Sequence, residues 1–479
     1  MPPPIKKISR ALNIWAASLL FLCSFTQIST AESLTVALYP YVPRIEQFKT
    51  AITEAWAEVQ PKVPLTFLPT RDWDGGYTNN PPDGADVFVF DAMYLALFKS
   101  QNNLVPFSRA EVDNIDDFLS YAIQGASSDN DILAIPLLGC ANILFYQKND
   151  AQLAQAATLT AVTNTLNQCT FTSIKPPDRR GIMIDMAGGT TNAALYADID
   201  HAITGIYPLP QPPSGDLDEK AIATMKLLFA TSSYYNATAD TVDAYARSAW
   251  FSQGFGRSVV GFTESMSEMS PQTLENTAFK VMPLSDNSSN RPLFYSDMIG
   301  VNTATSTRGT TALAKQLANV MASSATVVAS FAGTDAGVPP QYLMPARPSV
   351  FNALAPKYPI YAEMFKLTQT NPILFALNAD ARNWVNSVKD TIKRDYRLNY
   401  QCGCDYSAGQ VIANNSAAPA ICNPICSQHA GWNGNWTNAS YTGELSVCQC
   451  NACPLQTATS VSQQSASPMS RRPARPSKP

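Results

Sequence analysis

Histidine is almost absent from this sequence. The 479 residues contain two, His201 and His429, which lie far apart along the chain. Serine and cysteine hydrolases of the triad type need a histidine beside the nucleophile, and zinc sites of the histidine type need several. The sequence therefore argues against both classes. An activated nucleophile in this chain would need a carboxylate as its base.

Long apolar runs are missing beyond the N-terminus. No later segment reaches the roughly 18 apolar residues of a membrane-spanning helix, so we predict no membrane segment after the N-terminus. The N-terminus has basic residues within 6–10, an apolar run over 11–25 and small residues at 29–31. This layout is typical of a signal peptide. We predict that 1–31 is removed and that the protein is secreted; a membrane anchor is the alternative.

Positive charge is scarce in the body of the chain. The formal net charge is −4, although the N-terminal segment holds three basic residues and the tail beyond Leu455 holds four. The part between them is therefore strongly acidic. An acidic body argues against nucleic acid as a partner and favours a cationic ligand, although secreted proteins are often acidic without such a ligand.

The ten cysteines are distributed unevenly. Seven lie within 402–453, whereas Cys140 and Cys169 stand alone in the body. In an oxidising compartment such a cluster is typical of a disulfide framework. Seven is an odd number, so one cysteine is free or pairs with Cys169, and the connectivity stays open. The spacing also resembles a zinc ligand set, but the compartment favours disulfides and we predict no metal.

Strand and helix patterns alternate along the body, which indicates an α/β fold. Repeated strand–helix–strand units predict mostly parallel sheets. The predicted strands are 34–38, 65–68, 86–90, 132–138, 141–147 and 257–262. The predicted helices are 45–59, 92–100, 217–229, 241–253 with Thr241 as its N-cap, and a long one within 310–331.

Polar side chains follow several of the predicted strands: Tyr39, Asp91, Cys140, Glu264 and Asp297. Open α/β sheets bind ligands beyond the carboxyl ends of their strands, so we expect these distant residues in one crevice. A thiolate at Cys140 would need a group to take its proton, and Glu264 is the best candidate by topology. The alternative makes Cys140 a buried small apolar residue.

Seven segments of the body resemble thiaminase I, also called thiamine pyridinylase, in the same order and over about 34–395. The resemblance implies the two-lobed fold of periplasmic solute-binding proteins. It also implies thiamine and a small amine or thiol as reactants; we predict no cofactor and a monomer. The segments are VALYPYVP at 36–43, DVFVFD at 86–91, MAGGTT at 186–191, RSAWF at 247–251, GFTESM at 261–266, LFYSD at 293–297 and ANVMAS at 318–323.

The resemblance assigns roles to single residues. Cys140 matches the nucleophile and Glu264 the base, while Asp91 and Asp297 match acidic residues that hold the aminopyrimidine. A thiolate that adds to the pyrimidine would push electrons toward the thiazolium, and a second nucleophile would then replace the thiazole. A non-catalytic thiamine-binding protein on this fold would need neither Cys140 nor Glu264. The tyrosines that match the cleft are Tyr39, Tyr77, Tyr245 and Tyr295.

The cysteine-rich region resembles a small mannan-binding lectin domain. The resemblance implies that Trp432 and Trp436 stack on sugar rings; the alternative makes them the core of a small disulfide-stapled domain. A secreted carbohydrate-binding protein is thus a further interpretation of the chain. The matching segments are CNPICSQH at 422–429, GWNGNWT at 431–437 and LSVCQC at 445–450.

The chain is therefore predicted to have four parts. Residues 1–31 form the signal peptide and 32–398 the two-lobed catalytic domain. Residues 399–455 form the cysteine-rich module, with a glycan as its possible ligand. Residues 456–479 have almost no apolar content and are expected to be a disordered tail.

Overall fold

A computed structural model describes residues 33–39, 42–166, 181–186, 188–232, 245–335, 337–397, 405–437 and 446–451. The predicted signal peptide and tail, Cys169 and the predicted helix start at Thr241 lie outside these ranges. Within them, no helix is both long and apolar enough to cross a membrane.

The strands of the body are short, and the longer ones are mostly buried. This burial agrees with their nearly continuous apolar sequences. In chain order they are β1 (Leu34–Ala37), β2 (Leu65–Phe67), β3 (Val87–Asp91), β4 (Phe107–Ser108), β5 (Ser127–Ser128), β6 (Asp131–Ile132), β7 (Ile135–Cys140), β8 (Ile143–Gln147), β9 (Ile182–Met183), β10 (Ser258–Gly261), β11 (Thr277–Val281), β12 (Leu293–Val301), β13 (Met344–Pro345) and β14 (Ile373–Leu374).

Helices lie between these strands. In chain order they are α1 (Ile45–Val59), α2 (Leu95–Ser100), α3 (Ser120–Gly125), α4 (Ala151–Gln155), α5 (Leu159–Leu166), α6 (Thr190–Thr204), α7 (Glu219–Thr231), α8 (Ala246–Ser252), α9 (Pro271–Glu275), α10 (Ala304–Arg308), α11 (Thr311–Ala322), α12 (Ser324–Phe331), α13 (Pro348–Leu354), α14 (Ile360–Leu367) and α15 (Ala381–Arg397). Single 3-10 turns occur at Thr70–Asp72, Ala92–Tyr94, Arg109–Glu111, Ile115–Asp117 and Thr368–Thr370, and a longer 3-10 helix at Thr263–Glu268.

Two sheets form the two lobes of the body. In the part of the chain that the structure describes, the first sheet has seven strands in the order β13–β7–β12–β3–β1–β2, with β14 paired to β12. The second has the order β11–β8–β10–β9, and β4, β5 and β6 form a small third sheet. The chain crosses from the first sheet to the second just after Cys140 and returns before β12. This arrangement confirms the predicted two-lobed α/β architecture.

The sheets are mixed, so the prediction of mostly parallel sheets was wrong. β1 is parallel to β2 and β3, but β12 is antiparallel to both β3 and β7. In the second lobe, β8 is antiparallel to β10 and β11. Apolar periodicity locates a strand but carries no information about its direction. Because β12 returns from the second lobe, it enters the first sheet at the edge where β3 and β7 end.

The long helix predicted within 310–331 is in fact two helices, α11 and α12. Ser323 separates them in an extended conformation, with φ −65° and ψ 146°. Its hydroxyl accepts a hydrogen bond of 3.3 Å from the N–H of Thr326. Serine favours this N-cap position because its side chain satisfies a free amide of the first helical turn. The apolar spacing continues across the break, so periodicity did not reveal it.

A separate small core lies in the cysteine-rich region. Strands β15 (Asp405–Ser407), β16 (Trp432–Thr437) and β17 (Val447–Cys450) form an antiparallel sheet with β17 at its centre, and helix α16 (Ala418–Cys426) packs on it. Disulfides Cys422–Cys448 and Cys426–Cys450 join α16 to β17. They confirm the predicted disulfide framework for these four cysteines. The other cysteines of the cluster lie outside the described residues.

Candidate active site

One cavity of about 520 Å³ lies between the two lobes, and its walls come from both sheets. It brings together all the residues that the sequence singled out for catalysis or for binding in the body. Those residues are Cys140, Glu264, Tyr39, Tyr77, Asp91, Tyr245, Tyr295 and Asp297.

No histidine is among the described lining residues of this cavity. His201 is buried elsewhere, with its two ring nitrogens 2.9 Å and 3.0 Å from the carbonyl oxygens of Ile206 and Arg291. His429 lies in the cysteine-rich module, stacked on Tyr406. Across the described residues, no group of three or more potential ligands is arranged to hold a metal ion. The chemistry of the cavity therefore rests on its thiol, carboxyl and phenol groups.

The direction of β12 explains how Asp297 reaches the cavity. Asp297 pairs with Asp91 across β12 and β3, and Tyr295 pairs with Cys140 across β12 and β7. Because β12 starts where its neighbours end, residues near its amino end share an edge with their carboxyl ends. Asp297 therefore lies inside a strand, yet it lines the same cavity as Asp91 and Cys140, which lie at the ends of their strands.

Asp91 is fixed in place by two hydrogen bonds. The Tyr77 hydroxyl donates to its Oδ2 at 2.7 Å, and the N–H of Met93 donates to its Oδ1 at 2.9 Å. Burial raises the pKa of Asp91 above its usual range, and these two donors oppose that rise by stabilising the carboxylate. Asp91 is thus a rigid, buried acceptor at the end of β3.

Two further carboxyl groups of the cavity, those of Glu264 and Asp297, also hold protons more strongly than usual. Burial raises the pKa of Glu264 to about 7. Burial raises the pKa of Asp297 well above its usual range, and the charges of Asp91 and Glu264 raise it further. Like charges in a buried cavity disfavour one another's ionised forms. The raised pKa values therefore favour protonated carboxyl groups, which can donate a hydrogen bond.

Cys140 is the free thiol among the cysteines that the structure describes, and it is partly exposed. Burial raises its pKa well above the usual value, and the charges of Glu264, Asp297 and Asp91 add to the rise. The resting form is therefore the thiol rather than the thiolate, which is the reactive form. A nucleophilic role then requires a base, and Glu264 lines the same cavity with a pKa near neutrality.

The loop that carries Tyr77 approaches Tyr39 closely because it contains glycine. Gly75 has φ +82°, and a Cβ atom there would lie 2.6 Å from the Tyr39 ring. The Tyr39 and Tyr77 ring centroids are 6.3 Å apart, and Tyr94 meets Tyr77 edge-on at 5.3 Å. Tyr39 and Tyr77 therefore form an aromatic wall of the cavity beside Asp91, and Tyr94 packs edge-on against Tyr77.

Asn142 and Asp198, which the sequence analysis did not identify, support Tyr295. The Asn142 side-chain amide donates to Asp198 Oδ2 at 2.9 Å and lies 3.5 Å from the Tyr295 hydroxyl. Burial raises the pKa of Asp198 to about 7. The Tyr295 ring also stacks on Phe375 with centroids 4.6 Å apart. Asn142 lies in the two-residue crossing between the lobes, between β7 and β8.

The second lobe contributes further lining residues that the sequence analysis missed. Arg247 is buried in α8, and its guanidinium lies 3.4 Å from Asp185. Thr190 and Thr191 line the cavity at the start of α6. These residues lie within or beside the segments MAGGTT and RSAWF, so their position in those segments was a usable signal.

Trp432 and Trp436 lie in β16 of the cysteine-rich module. Both are partly buried against its small core. The Trp432 indole N–H donates to the carbonyl of Asn435 at 2.6 Å, and that of Trp436 donates to Asn415 Oδ1 at 3.0 Å. These contacts are those of structural residues, and the partial exposure of both rings leaves the carbohydrate role a prediction.

Comparison with known proteins agrees with this geometry. A family model described as a Thiaminase-1 domain matches residues 141–285. Thiaminase-1 of Paenibacillus thiaminolyticus is 36% identical over 398 residues, which are 80% of this chain and 95% of that protein. The structure of Clostridium botulinum thiaminase I in complex with thiamin is similar, with a TM-score of 0.71 and 32% identity over 76% of this chain and 100% of that one.

The fold is also found in sugar-binding proteins. Maltose-bound MalE3 of T. maritima has a TM-score of 0.55 over 77% of this chain and 98% of that one, at 16% identity. That likeness concerns the fold alone, and it confirms the predicted solute-binding-protein architecture. The identity of more than one third over almost the whole Paenibacillus protein is specific to one family. The chain belongs to the thiaminase I family.

Proposed function

We propose that this protein is a secreted transferase that cleaves thiamine, displacing its thiazole from the pyrimidine methylene by a small amine or thiol. The observation that supports this most directly is one cavity lined by Cys140, Glu264, Asp91 and Asp297. A family member has been solved in complex with thiamin. Secretion is inferred from the N-terminal sequence alone.

The cavity suits the pyrimidine half of thiamine. An aminopyrimidine offers an amino group as donor and ring nitrogens that accept or hold a proton. Asp91 and Asp297 are paired on neighbouring strands, and the raised pKa of Asp297 favours its protonated form, which can donate a hydrogen bond. A carboxylate that accepts from the amino group, beside a second group that hydrogen-bonds a ring nitrogen, would hold the ring and make it more electrophilic.

The cavity also suits the positive charge of the thiazolium. Its described lining contains five carboxyl side chains and one basic side chain, so its potential favours a cation. Tyrosine rings such as Tyr39, Tyr77 and Tyr295 offer flat faces for the pyrimidine and a cation–π contact for the thiazolium. The volume of about 520 Å³ is that of a site for a small organic molecule.

Cys140 would attack the substrate with Glu264 as its base. Glu264 takes the thiol proton as sulfur adds to the pyrimidine carbon next to the one that bears the methylene group. The electron pair of the broken ring double bond then expels the thiazole, which leaves neutral. The amine or thiol attacks the methylene carbon and gives its proton to a base. Expulsion of the Cys140 thiolate restores aromaticity, and the thiolate regains the proton from Glu264.

The raised pKa of Cys140 is compatible with this role. Burial and three carboxyl groups disfavour the thiolate. A bound thiazolium places a positive charge in the same cavity, and an opposite charge nearby favours the thiolate. The nucleophile would then form only when substrate is present, which protects an otherwise reactive thiol.

The test is product analysis with a defined acceptor. Wild-type protein incubated with thiamine and aniline is expected to yield the pyrimidinylmethyl adduct of aniline and free thiazole, both identified by mass spectrometry. Cys140→Ser is expected to yield neither at a comparable rate, while still binding thiamine. Intact thiamine with wild-type protein, together with measurable binding, would instead identify a non-catalytic thiamine-binding protein.

A carbohydrate-binding role for the cysteine-rich module is a second prediction. It is supported by the partial exposure of Trp432 and Trp436 on one strand. The test is retention on immobilised mannan, where wild-type protein is expected to bind and Trp432→Ala to bind less. Equal retention of both, or of neither, would make the two tryptophans purely structural.

A further inference from the structure

The described lining of the cavity contains one positively charged side chain among several acidic ones. Arg247 is the one basic side chain among its described lining residues, and it belongs to the second lobe, just ahead of β10. Asp185, which Arg247 contacts, precedes the start of α6 by only a few residues. Asp91 and Asp297, in contrast, belong to the first lobe. The second lobe also contributes Asp185 and Glu264 to the lining, so Arg247 is a local positive group within a mostly acidic cavity.

Arg247 has hydrogen-bonding capacity that the described residues do not use. Only 6% of the residue is exposed. Its Nη2 donates one long hydrogen bond of 3.4 Å to Asp185, and its buried Nε has no acceptor among the described residues. Such an unsatisfied donor is costly inside a protein. A guanidinium group offers a rigid fork of donors that matches carboxylate and phosphate oxygens.

The start of α6 adds amide donors at the same cavity. The helix begins after Gly189, has no side-chain cap and carries no acidic residue in its first turn. The first amides of a helix lack partners within it, and the helix dipole favours an anion there. Thr190 and Thr191, the first residues of this helix of 15 residues, both line the cavity.

We propose that Arg247, with Thr190 and Thr191, forms a subsite for an oxyanion carried by one of the two reactants; we call these three residues the anion wall. The anion is either a phosphate ester on the hydroxyethyl arm of the thiazolium or a carboxylate on the incoming nucleophile. The inference rests on the proposed function, because it states where the ends of the same two reactants bind in the cavity. The pyrimidine lies against the first lobe, and the anion lies against the second.

The charges around the anion wall set its orientation. The paired carboxyl groups of Asp91 and Asp297 on the first lobe disfavour an anion, whereas Arg247 on the second lobe offers it a partner. Asp185 offsets part of the Arg247 charge. The hydrogen bond between the two side chains is long, however, and the Nε of Arg247 has no acceptor among the described residues. A reactant with an anionic end would therefore bind in one orientation.

The test uses matched reactants that differ in one anionic group. Thiamine is compared with thiamine monophosphate, with pyridine as acceptor, and pyridine is compared with nicotinate, with thiamine as donor. In Arg247→Gln we expect kcat/KM for one anionic reactant, relative to its neutral partner, to fall on the order of tenfold to a hundredfold. The pair of reactants whose kcat/KM ratio changes identifies the reactant that carries the anion. Arg247→Lys should restore part of the lost ratio, because it keeps the charge without the fork.

Arg257→Gln is the matched control. Arg257 lies in the same lobe, where it binds Asp150 at 2.7 Å and does not line the cavity. Its loss should leave both ratios unchanged. If Arg247→Gln also leaves both ratios unchanged, Arg247 serves only to pair with Asp185 and the proposal is wrong.

A binding measurement on unaltered protein covers the case in which Arg247→Gln does not fold or wild-type protein does not turn over thiamine. Calorimetric titration with inorganic phosphate, against sodium chloride of equal ionic strength, is expected to give a saturable heat that thiamine monophosphate abolishes. A heat no larger than that of chloride, together with equal affinity for thiamine and its monophosphate, would overturn the anion wall. Absence of turnover with any acceptor would overturn the transferase proposal alone.

Discussion

At the scale of single residues, burial sets the chemistry of the proposed acid–base group. A pKa of about 7 gives Glu264 a proton affinity close to that needed at neutral pH, where it can take a proton and return it. Cys140 stays protonated until a base or a cation acts on it, because its pKa is raised. The two shifts have the same main cause, since both groups are buried in one cavity.

The activity should therefore depend on pH through Glu264. The base must be ionised, so kcat/KM is expected to rise with pH, to level off above about 7 and to fall as pH drops below that value. Glu264→Gln should lower kcat/KM on the order of 10²- to 10⁴-fold and should remove the change of kcat/KM near pH 7.

Asp198→Asn is the matched control for that pH profile, because burial gives Asp198 a pKa of about 7 as well. The Asp198→Asn variant should still show the change of kcat/KM near pH 7, whatever its absolute activity. If the change of kcat/KM near pH 7 disappears in Asp198→Asn and persists in Glu264→Gln, the acid–base residue is Asp198 and not Glu264.

Glu264 should also lower the stability of the folded protein at high pH. Its folded-state pKa is raised, so the folded state prefers the protonated form, and stability is lost as pH rises through about 7. Glu264→Gln cannot ionise and should be more stable than wild type at pH 8, by on the order of 3 kcal/mol at most. At pH 4 the two should be nearly equal. Denaturant unfolding at both pH values measures this, and an equal difference at both would contradict it.

Which site residues the sequence reveals depends on how they are positioned. Asp91 and Cys140 end buried apolar strands, and a strand end is visible in the sequence. Asp198 lies inside helix α6 and Asn142 in a two-residue crossing, where no periodicity marks a polar residue as functional. Tyr77 and Tyr245 follow no predicted strand, so only the family resemblance found them.

At the scale of elements, loops and strand direction bring the site together. β12 carries Tyr295 and Asp297 to Cys140 and Asp91 because it runs against its neighbours. The loop before β3 brings Tyr77 to Asp91 by passing close to Tyr39, which only glycine permits at position 75. Apolar runs predicted β1, β2, β3, β7, β8 and β10, but not β11 or β12. Neither the direction of β12 nor the break at Ser323 could be predicted, because direction depends on distant pairing and a cap depends on one side chain.

Gly75→Ala should therefore disturb the site through its loop. The added methyl group needs an unfavourable φ and would lie 2.6 Å from the Tyr39 ring. We expect a loss of about 1–3 kcal/mol in the free energy of unfolding and a raised KM for thiamine. Denaturant unfolding and steady-state kinetics measure the two effects. Gly84→Ala is the control, because a Cβ atom at Gly84 meets nothing within 4 Å; equal effects of both changes would refute the argument.

At the scale of the whole molecule, the described residues form two separate cores. The large core spans both lobes, whereas the small one lies within the cysteine-rich module. Composition predicted this division, because cysteine replaces aliphatic residues in the small core. The disulfide pairing could not be predicted from seven clustered cysteines, since spacing alone leaves many pairings open.

Independent cores predict independent stability. The double change Cys422→Ser and Cys448→Ser removes one disulfide of the module and should destabilise it by about 2–4 kcal/mol. Limited proteolysis followed by mass spectrometry should show faster cleavage within 405–451 only. Thiamine turnover should stay within about twofold of wild type, because these residues do not line the cavity. A large loss of turnover would mean that the module supports the body.

The most direct test of the central claim is detection of the covalent intermediate. Wild-type protein is mixed with thiamine without an added amine, quenched rapidly with acid and analysed as intact protein and as peptides by mass spectrometry. The account predicts a mass increase equal to the pyrimidinylmethyl group, located on Cys140 and removed when aniline is added before the quench. An adduct on another residue, or full turnover by Cys140→Ser, would contradict it.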